Sequence, residues 1–411
     1  MAEIEFSRFT FQTSDDDSNL IKVIFGGRYS FNLSLRDLKD IDEGVIVEKQ
    51  KIIFPNAKER QSENKLDILL SQGMKNMTHL LNKKDVVYID EASGIPLVGA
   101  IDFGVVDRGT NILEVKPLTG CNLNCIYCSV DEGVNKKSAD ILIDDTYLVN
   151  VCAELAAKKT HPVEFNIGPH GEPLLYPFNI DLIKGLKEIP NCEVISMNTN
   201  GTLLTKEFID QLKDAGLTRL NWSLNTVDEE VATALAAKPF PMKKTLDLID
   251  YSNSIGLYVQ LAPLTVPEFN DDLNRDIIPV IELSKTLKSP FPVIGFQKFL
   301  CNKGGRNPVE EVPFEDYFNM LRPLGEKYDL VLTPKKDYNP FNIFVDKTLE
   351  KTMLKNQIVK ARIASKGRTP NEKFCVAHDR VIRVKGLLRD SGSVSIKIVR
   401  DKHNIYLGVP V

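Results

Sequence analysis

The run Ile112-Leu113-Glu114-Val115-Lys116-Pro117-Leu118 is followed at once by Thr119-Gly120-Cys121-Asn122-Leu123-Asn124-Cys125-Ile126-Tyr127-Cys128. The first half is a β-type run, and the second places three thiols within eight residues on the loop that leaves it. Thiolates are the favoured ligands of iron–sulfur clusters and of structural zinc, and three so close on one loop converge on a single centre. The other cysteines are Cys152, Cys192, Cys301 and Cys375, with none before Cys121, which excludes a secreted disulfide scaffold. A structural zinc site asks for a fourth Cys or His at ordinary spacing. The next ones downstream are Cys152, inside an apparent helix, and His161. A [4Fe–4S] cluster held by three cysteines instead leaves one iron open to a further ligand.

Outward from this loop the chain alternates regularly. Short β-type runs at 112–118, 163–167, 193–198, 219–224, 258–265 and 293–300 are each followed by an amphipathic stretch, at 145–158, 179–187, 205–215, 242–255, 272–287 and 314–328. Parallel strands need such crossovers, so the class is α/β with helices outside a parallel sheet. Six units fall short of the eight of a closed barrel and predict a partial, open (β/α)6 barrel. Residues two apart share a strand face, and one face is polar throughout: Glu164 and Asn166; Ser196, Asn198 and Asn200; Asn221, Ser223 and Asn225; Gln260; Gln297. Trp222 and Leu224 point the other way, toward the helices. So many aligned polar groups are costly in a dry core and predict a solvated or ligand-filled lumen; the alternative is a set of core groups bonded to one another.

The flanks differ from this core. Residues 1–105 read as an N-terminal α+β accessory domain, with strands at 5–11, 21–31, 86–90 and 98–106 and a helix at 66–81, and carry no chemical motif. The core spans 106–335. Residues 336–369 read as a basic linker or helix, because 351–368 holds six basic residues and no acidic one. Residues 370–411, with strand-like runs at 380–384, 393–399 and 404–409, predict a small antiparallel β-barrel. The whole chain of 411 residues is nearly neutral at −4, which excludes a wholesale polyanion binder, yet residues 351–411 carry +10. That asymmetry suits phosphate contacts, with Phe374 and Tyr406 as stacking candidates; the alternative is a basic surface that neutralises the acidic body. Lys298, Lys303 and Arg306, beside Gly304-Gly305, are candidates for an anionic substrate or are simply solvated. With 43% hydrophobic and 26% charged residues the chain builds a core and stays in solution. No apolar run approaches the roughly 18 residues of a membrane span, and the start Met1-Ala2-Glu3-Ile4-Glu5 lacks the pattern of a signal peptide, so the expected setting is the reducing cytoplasm with no membrane contact.

The CxxxCxxC spacing, with Tyr127 before the last cysteine, resembles the radical S-adenosylmethionine (radical SAM) superfamily, and the resemblance covers about 111–302. It implies a partial (β/α)6 radical SAM barrel, a [4Fe–4S] cluster on Cys121, Cys125 and Cys128, and SAM on the open iron. Reductive cleavage of SAM there yields a 5′-deoxyadenosyl radical that abstracts hydrogen. Gly168-Pro169-His170-Gly171-Glu172-Pro173 resembles the family's Gly-Gly-Glu motif, with His170 where many members have Gly, and implies that Gly171 and Glu172 serve the SAM ammonium. Asn198-Thr199-Asn200-Gly201 and Ser223-Leu224-Asn225 match the positions of polar groups for the SAM carboxylate and ribose, and Phe269-Asn270-Asp271 those near the adenine. The Gly-Glu-Pro form resembles RNA-modifying members, and the whole resembles uncharacterised archaeal-type radical SAM proteins.

The C-terminal segment resembles a TRAM-type RNA-binding module. Methylthio-transferring relatives carry a cysteine-bearing N-terminal domain, so sulfur insertion is not expected. Cys301, ending the sixth strand, is the candidate catalytic thiol and Cys375 a second reactive candidate, with core packing as the alternative for both. Three readings stand: modification of tRNA or other RNA, fed by an electron donor such as ferredoxin or flavodoxin; the same chemistry on a protein side chain or small metabolite; and a non-enzymatic iron–sulfur or zinc scaffold.

Overall fold

The computed structural model describes residues 1–13, 17, 19–134 and 138–411. At its centre five strands run parallel: β1 (Ile112–Lys116), β2 (Val163–Ile167), β3 (Cys192–Thr199), β4 (Arg219–Trp222) and β5 (Tyr258–Leu261), adjacent in that order. Gly104–Asp107 pairs antiparallel along the free edge of β1. The helix-facing side chains Leu113, Val115, Phe165, Ile167, Ile195, Met197, Leu220 and Trp222 are buried completely, as expected where helices cover a parallel sheet. Those helices are α1 (Asp145–Ala156), α2 (Asn179–Lys187), α3 (Lys206–Ala215), α4 (Glu229–Ala236), α5 (Met242–Ser254), α6 (Ile278–Ser284) and α7 (Phe314–Tyr328). Local chemistry sets several starts: Asp144, Thr205 and Asp228 accept the Tyr147, Phe208 and Val231 N–H groups at the first turns of α1, α3 and α4.

The sixth strand is shorter than its sequence run. Only β6 (Gln297–Lys298) forms as a strand, and it pairs in parallel with Leu264–Thr265, beyond β5; along β5 itself the run makes a single parallel bridge, Leu261 to Ile294. Pro263 interrupts the fifth run, and Pro290 and Pro292 lie just before the sixth; each withholds an N–H group that a longer ladder would need. The barrel is therefore open, a partial (β/α)6 arrangement. Its lower end is plugged: the Arg219 guanidinium lies 4.6 Å over the Phe291 ring and 5.0 Å over the Phe341 ring while donating to Glu164 at 2.6 Å.

The N-terminal region is α+β. Phe9–Thr13, Leu20–Phe25, Tyr29–Ser34 and Thr78–His79 form one antiparallel sheet, and Ala2–Glu5, Lys51–Phe54 and Ile46–Val47 another. Its helix runs Glu59–Met74, earlier than the 66–81 expected, because Thr78 and His79 are drawn into the sheet. The region docks on the core through Arg8, whose guanidinium donates twice to Asp145 at 2.5 and 2.8 Å.

The C-terminal strands β7 (Ile358–Lys366), β8 (Glu372–Ala377), β9 (Arg380–Lys385), β10 (Ser393–Arg400) and β11 (Leu407–Pro410) close in the order β7-β8-β9-β11-β10. The helix-or-linker reading of 351–368 is corrected here. Val359, Ala361 and Ile363 point inward with period two, so this segment supplies the first barrel strand; the intervening Lys360 and Arg362 disguised the alternation. With β9 and β11 parallel and the other pairs antiparallel, the barrel has the five-stranded Greek-key form of an OB-fold.

In that form the face of the second and third strands usually takes ligands. Here the body covers it. Val381 N–H donates to Val98 O at 3.0 Å, Tyr406 N–H to Gly99 O at 2.8 Å, and Phe374 packs on Phe103 with centroids 5.1 Å apart. Phe374 and Tyr406 are fully buried, which corrects their expected role as stacking platforms. Among the described residues no helix is long and apolar enough to cross a membrane.

Candidate active site

The C-terminal ends of the core strands open into a cavity of about 580 Å³. Cys121, Cys125 and Cys128 line it together with Gly171, Glu172, Asn198, Asn200, Ser223 and Asn225, so the fold gathers the cysteines and the residues singled out for the SAM ammonium, carboxylate and ribose, but not the Phe269-Asn270-Asp271 segment. Among the described residues no three His, Cys, Asp or Glu side chains are arranged to hold a single metal ion. The cavity wall offers three thiols and no imidazole, a donor set that fits a three-cysteine cluster with one open iron better than a four-ligand zinc ion.

The cysteine loop is held from several sides. Helix α4 ends beneath it, and its free carbonyls take the loop's amides: Ala236 O accepts from Asn124 N–H at 3.1 Å and Leu235 O from Ile126 N–H at 3.0 Å. Leu123 N–H points at Cys121 Sγ at 3.5 Å and Glu132 N–H at Cys128 Sγ at 3.2 Å. The Tyr127 hydroxyl bonds the Cys125 thiol and accepts from the Asn225 amide at 2.5 Å, tying the loop to the end of β4. Arg306 donates to Cys125 O at 2.8 Å, Glu132 O at 3.1 Å and Asp131 at 2.7 Å. It therefore clamps the cysteine loop, which corrects its candidacy for a substrate anion. Burial pushes the Cys125 thiol up to about 11 and Cys121 higher, so both are protonated until a metal displaces the proton.

Gly171 was singled out for a close backbone approach to a cofactor. The close approach is instead to the cysteine loop: a Cβ here would lie 2.2 Å from Gly120 O, and φ is +69°. Glu172 N–H also donates to Gly120 O at 2.8 Å. The Glu172 carboxylate is 2% exposed and engaged: Oε1 accepts from Leu174 N–H at 3.0 Å and Thr199 Oγ1 at 2.7 Å, and Oε2 from Asn200 N–H at 2.8 Å. Burial outweighs these bonds and raises its pKa to about 7 from an ordinary 4.5. The native carboxyl thus holds its proton more tightly than the unfolded one, and stability falls as pH rises from about 4.5 to about 7. The loss is on the order of 3 kcal/mol. Denaturant titrations of metal-free protein at pH 5 and 8 should show this fall relative to Glu172→Gln, which lacks the titrating group; parallel pH dependences would contradict it.

The polar strand face divides into two tiers. In the lower tier Ser196 Oγ and Arg219 both donate to Glu164 at 2.6 Å, and Asn166 donates to Ser196 at 2.8 Å, so these groups satisfy one another. In the upper tier Asn198, Asn200, Asn221, Ser223, Asn225, Gln260 and Gln297 line the cavity. The Asn200 amide donates to Asn122 at 3.0 Å, and that of Asn221 to Asn198 at 2.7 Å. Asn270 lies outside the lining. It is 1% exposed and fixes the turn after β5, donating to Asn225 O and Leu264 O at 2.9 Å.

Cys301 is exposed on the loop beyond β6 and does not line the cavity; its thiol reaches Val309 O at 3.5 Å. Neither the catalytic nor the core-packing expectation describes it. Cys375 is buried in the barrel.

The sequence profile of the Radical SAM superfamily matches residues 115–278. The uncharacterised protein MJ0103 of Methanocaldococcus jannaschii is 32% identical over 387 residues, covering 86% of this chain and 88% of its own length. A GTP 3′,8-cyclase of Campylobacter jejuni subsp. doylei is 28% identical over 58% of this chain and 70% of its own. Among solved structures, anSMEcpe with bound AdoMet aligns at TM-score 0.41 and 17% identity, over 53% of this chain and 59% of that one, so the chain spans less than two thirds of it. Streptococcus suis SuiB aligns at TM-score 0.44 and 12% identity over 79% and 69%. The chain belongs to the radical SAM superfamily, whose members bind a [4Fe–4S] cluster and SAM. It is a radical SAM enzyme related over nearly its full length to MJ0103.

Proposed function

We propose that this radical SAM enzyme modifies RNA, with the target nucleotide entering the cavity at the ends of β1–β6. Cys121, Cys125 and Cys128 would hold the cluster, and Gly171, Glu172, Asn198, Asn200, Ser223 and Asn225 would seat SAM. The chemistry supplied there is reductive cleavage of SAM to methionine and a hydrogen-abstracting 5′-deoxyadenosyl radical. The chain's own part is to keep that space shaped and dry below, through the Arg219 plug and the Glu172 bonds, and to orient the substrate. Gln260 and Gln297 line the cavity with side chains that bond no other described residue, and they are the groups left to read substrate.

The RNA reading is carried by the outer face of β7 and β10. Lys360, Arg362 and Lys397 are exposed there, and neither strand has an acidic residue. Because the body covers the β8–β9 face, RNA docks on β7–β10. Changing Lys360, Arg362 and Lys397 to Ala should lower the slope of log affinity against log salt by about two to three. Electrons come from a one-electron carrier such as ferredoxin or flavodoxin. Exposed Lys206, Lys243 and Lys244 lie together, and Lys244 donates to Thr202 O at 3.2 Å, with Asn122 of the cysteine loop bonded to the Thr202 hydroxyl; the cluster suits an acidic carrier. All seven cysteines are free, in keeping with reducing cytoplasm.

A second reading, a small anionic metabolite, is favoured by Lys298, the one cation among the described residues lining the cavity. SAM cleavage by a protein that binds RNA with no salt-dependent affinity would select it.

A further inference from the structure

Behind the cysteine loop, at the seam with the C-terminal barrel, lies a buried set of charges that the chemistry above does not use. Glu132, 2% exposed, is its hub. Its N–H donates to Cys128 Sγ at 3.2 Å, and its carboxylate meets His170 Nε2 at 3.1 Å and the Arg368 guanidinium at 2.5 Å. His170 is the departure in the Gly-Glu motif. It turns away from the cavity into this seam, where burial lowers its pKa, so that Arg368 supplies the positive charge and His170 a neutral N–H.

Arg368 belongs to the loop between β7 and β8. It also donates to Ala139 O at 3.0 Å and stands 3.6 Å from Asp102, which faces Arg383 of β9 at 3.1 Å. Arg383 in turn pairs with Glu372 at 2.6 Å. The seam has no slack: a Cβ on Gly99 would lie 2.2 Å from Val381 O. Two of the basic residues that make the tail so positive are thus spent inside the protein.

Buried ion pairs are poor stabilisers, because desolvation offsets most of their attraction; their attested use is to fix one arrangement among several. What this pair fixes is Glu132, and with it the amide aimed at a cysteine sulfur. N–H donors to ligating sulfurs tune an iron–sulfur centre and hold its ligands in place.

We propose that Arg368 is a positioning residue of the cofactor site, through which the C-terminal barrel sets the placement of Glu132 and its N–H donor to Cys128. The barrel is then part of the site's support and not only an appended binding module. The proposal rests on the reading of Cys128 as a cluster ligand.

The test uses the full chain, with Arg368→Met to remove the charge, Arg368→Lys as the conservative change, and Arg389→Met, at an exposed position of the barrel, as a control. In metal-free protein, hydrogen exchange in peptides covering residues 126–134 should rise about tenfold in Arg368→Met. Arg368→Lys should restore part of the protection, and Arg389→Met should match wild type. After anaerobic reconstitution, Arg368→Met with a full iron complement should show a more negative midpoint potential and an altered EPR line shape. If Arg368→Met does not fold, Glu132→Gln removes the same ion pair with little change of shape and should behave alike. Unchanged exchange and an unchanged signal in a loaded variant overturn the brace alone. Wild-type protein that takes up no cluster overturns the cofactor reading, and the brace with it.

Discussion

Changing Cys125 to Ala should abolish the brown charge-transfer absorption of the reconstituted protein and reduce SAM cleavage to background. Cys125 lies at the middle of the cysteine loop and lines the cavity between Cys121 and Cys128. Among the described residues the wall holds no further thiol or imidazole that could take its place, and two thiolates leave two irons without protein ligands. Iron and sulfide content and the visible spectrum read the result directly. The same change at Cys301 should leave both unaffected, because that thiol lies outside the cavity on an exposed loop. A full cluster in Cys125→Ala would show that the ligand set is wrong.

Changing Gly171 to Val costs the protein its cofactor site as well as stability. At φ +69° any β-branched residue is strained by about 1–2 kcal/mol. That is the smaller part, because the new Cβ would sit 2.2 Å from Gly120 O and 3.0 Å from Gly120 N. Backbone cannot swing aside as a side chain does, so Gly120 must move and carry Cys121 with it. The expected result is a loss of several kcal/mol in denaturant titrations and poor retention of iron on gel filtration. Gly304→Val is the matched control: its φ is +90°, but nothing lies within 4 Å of its Cβ position. That variant should keep its cluster. Equal effects at both glycines would contradict the account of Gly171.

The parts of the site visible in the sequence were local. Three thiols within eight residues, a glycine–glutamate turn after the second strand, and polar residues two apart at strand ends each declare themselves without tertiary information. The strand–helix alternation was legible for the same reason, since apolar period and spacing are properties of short windows. What stayed hidden depends on contacts between distant segments. Nothing in the surroundings of Glu132, Arg306 or Arg368 announces that they meet behind one loop. In sequence Arg368 is merely one of six cations in a run, and its burial cannot be read from that run. Helix α4 was passed over because eight residues make barely two turns, although Asp228 and two acidic residues mark its start. Strand β7 was misread because charge drew attention from the alternation of Val359, Ala361 and Ile363. The tail's net +10 invited nucleic acid, yet the structure spends Arg368 and Arg383 on the body and covers the β8–β9 face.

The most direct test of the central claim is 5′-deoxyadenosine release from SAM by anaerobically reconstituted, chemically reduced protein. The account predicts release that depends on reduction and on Cys121, Cys125 and Cys128, and that rises when total tRNA is added. A protein with a complete, reducible cluster that releases none would contradict it.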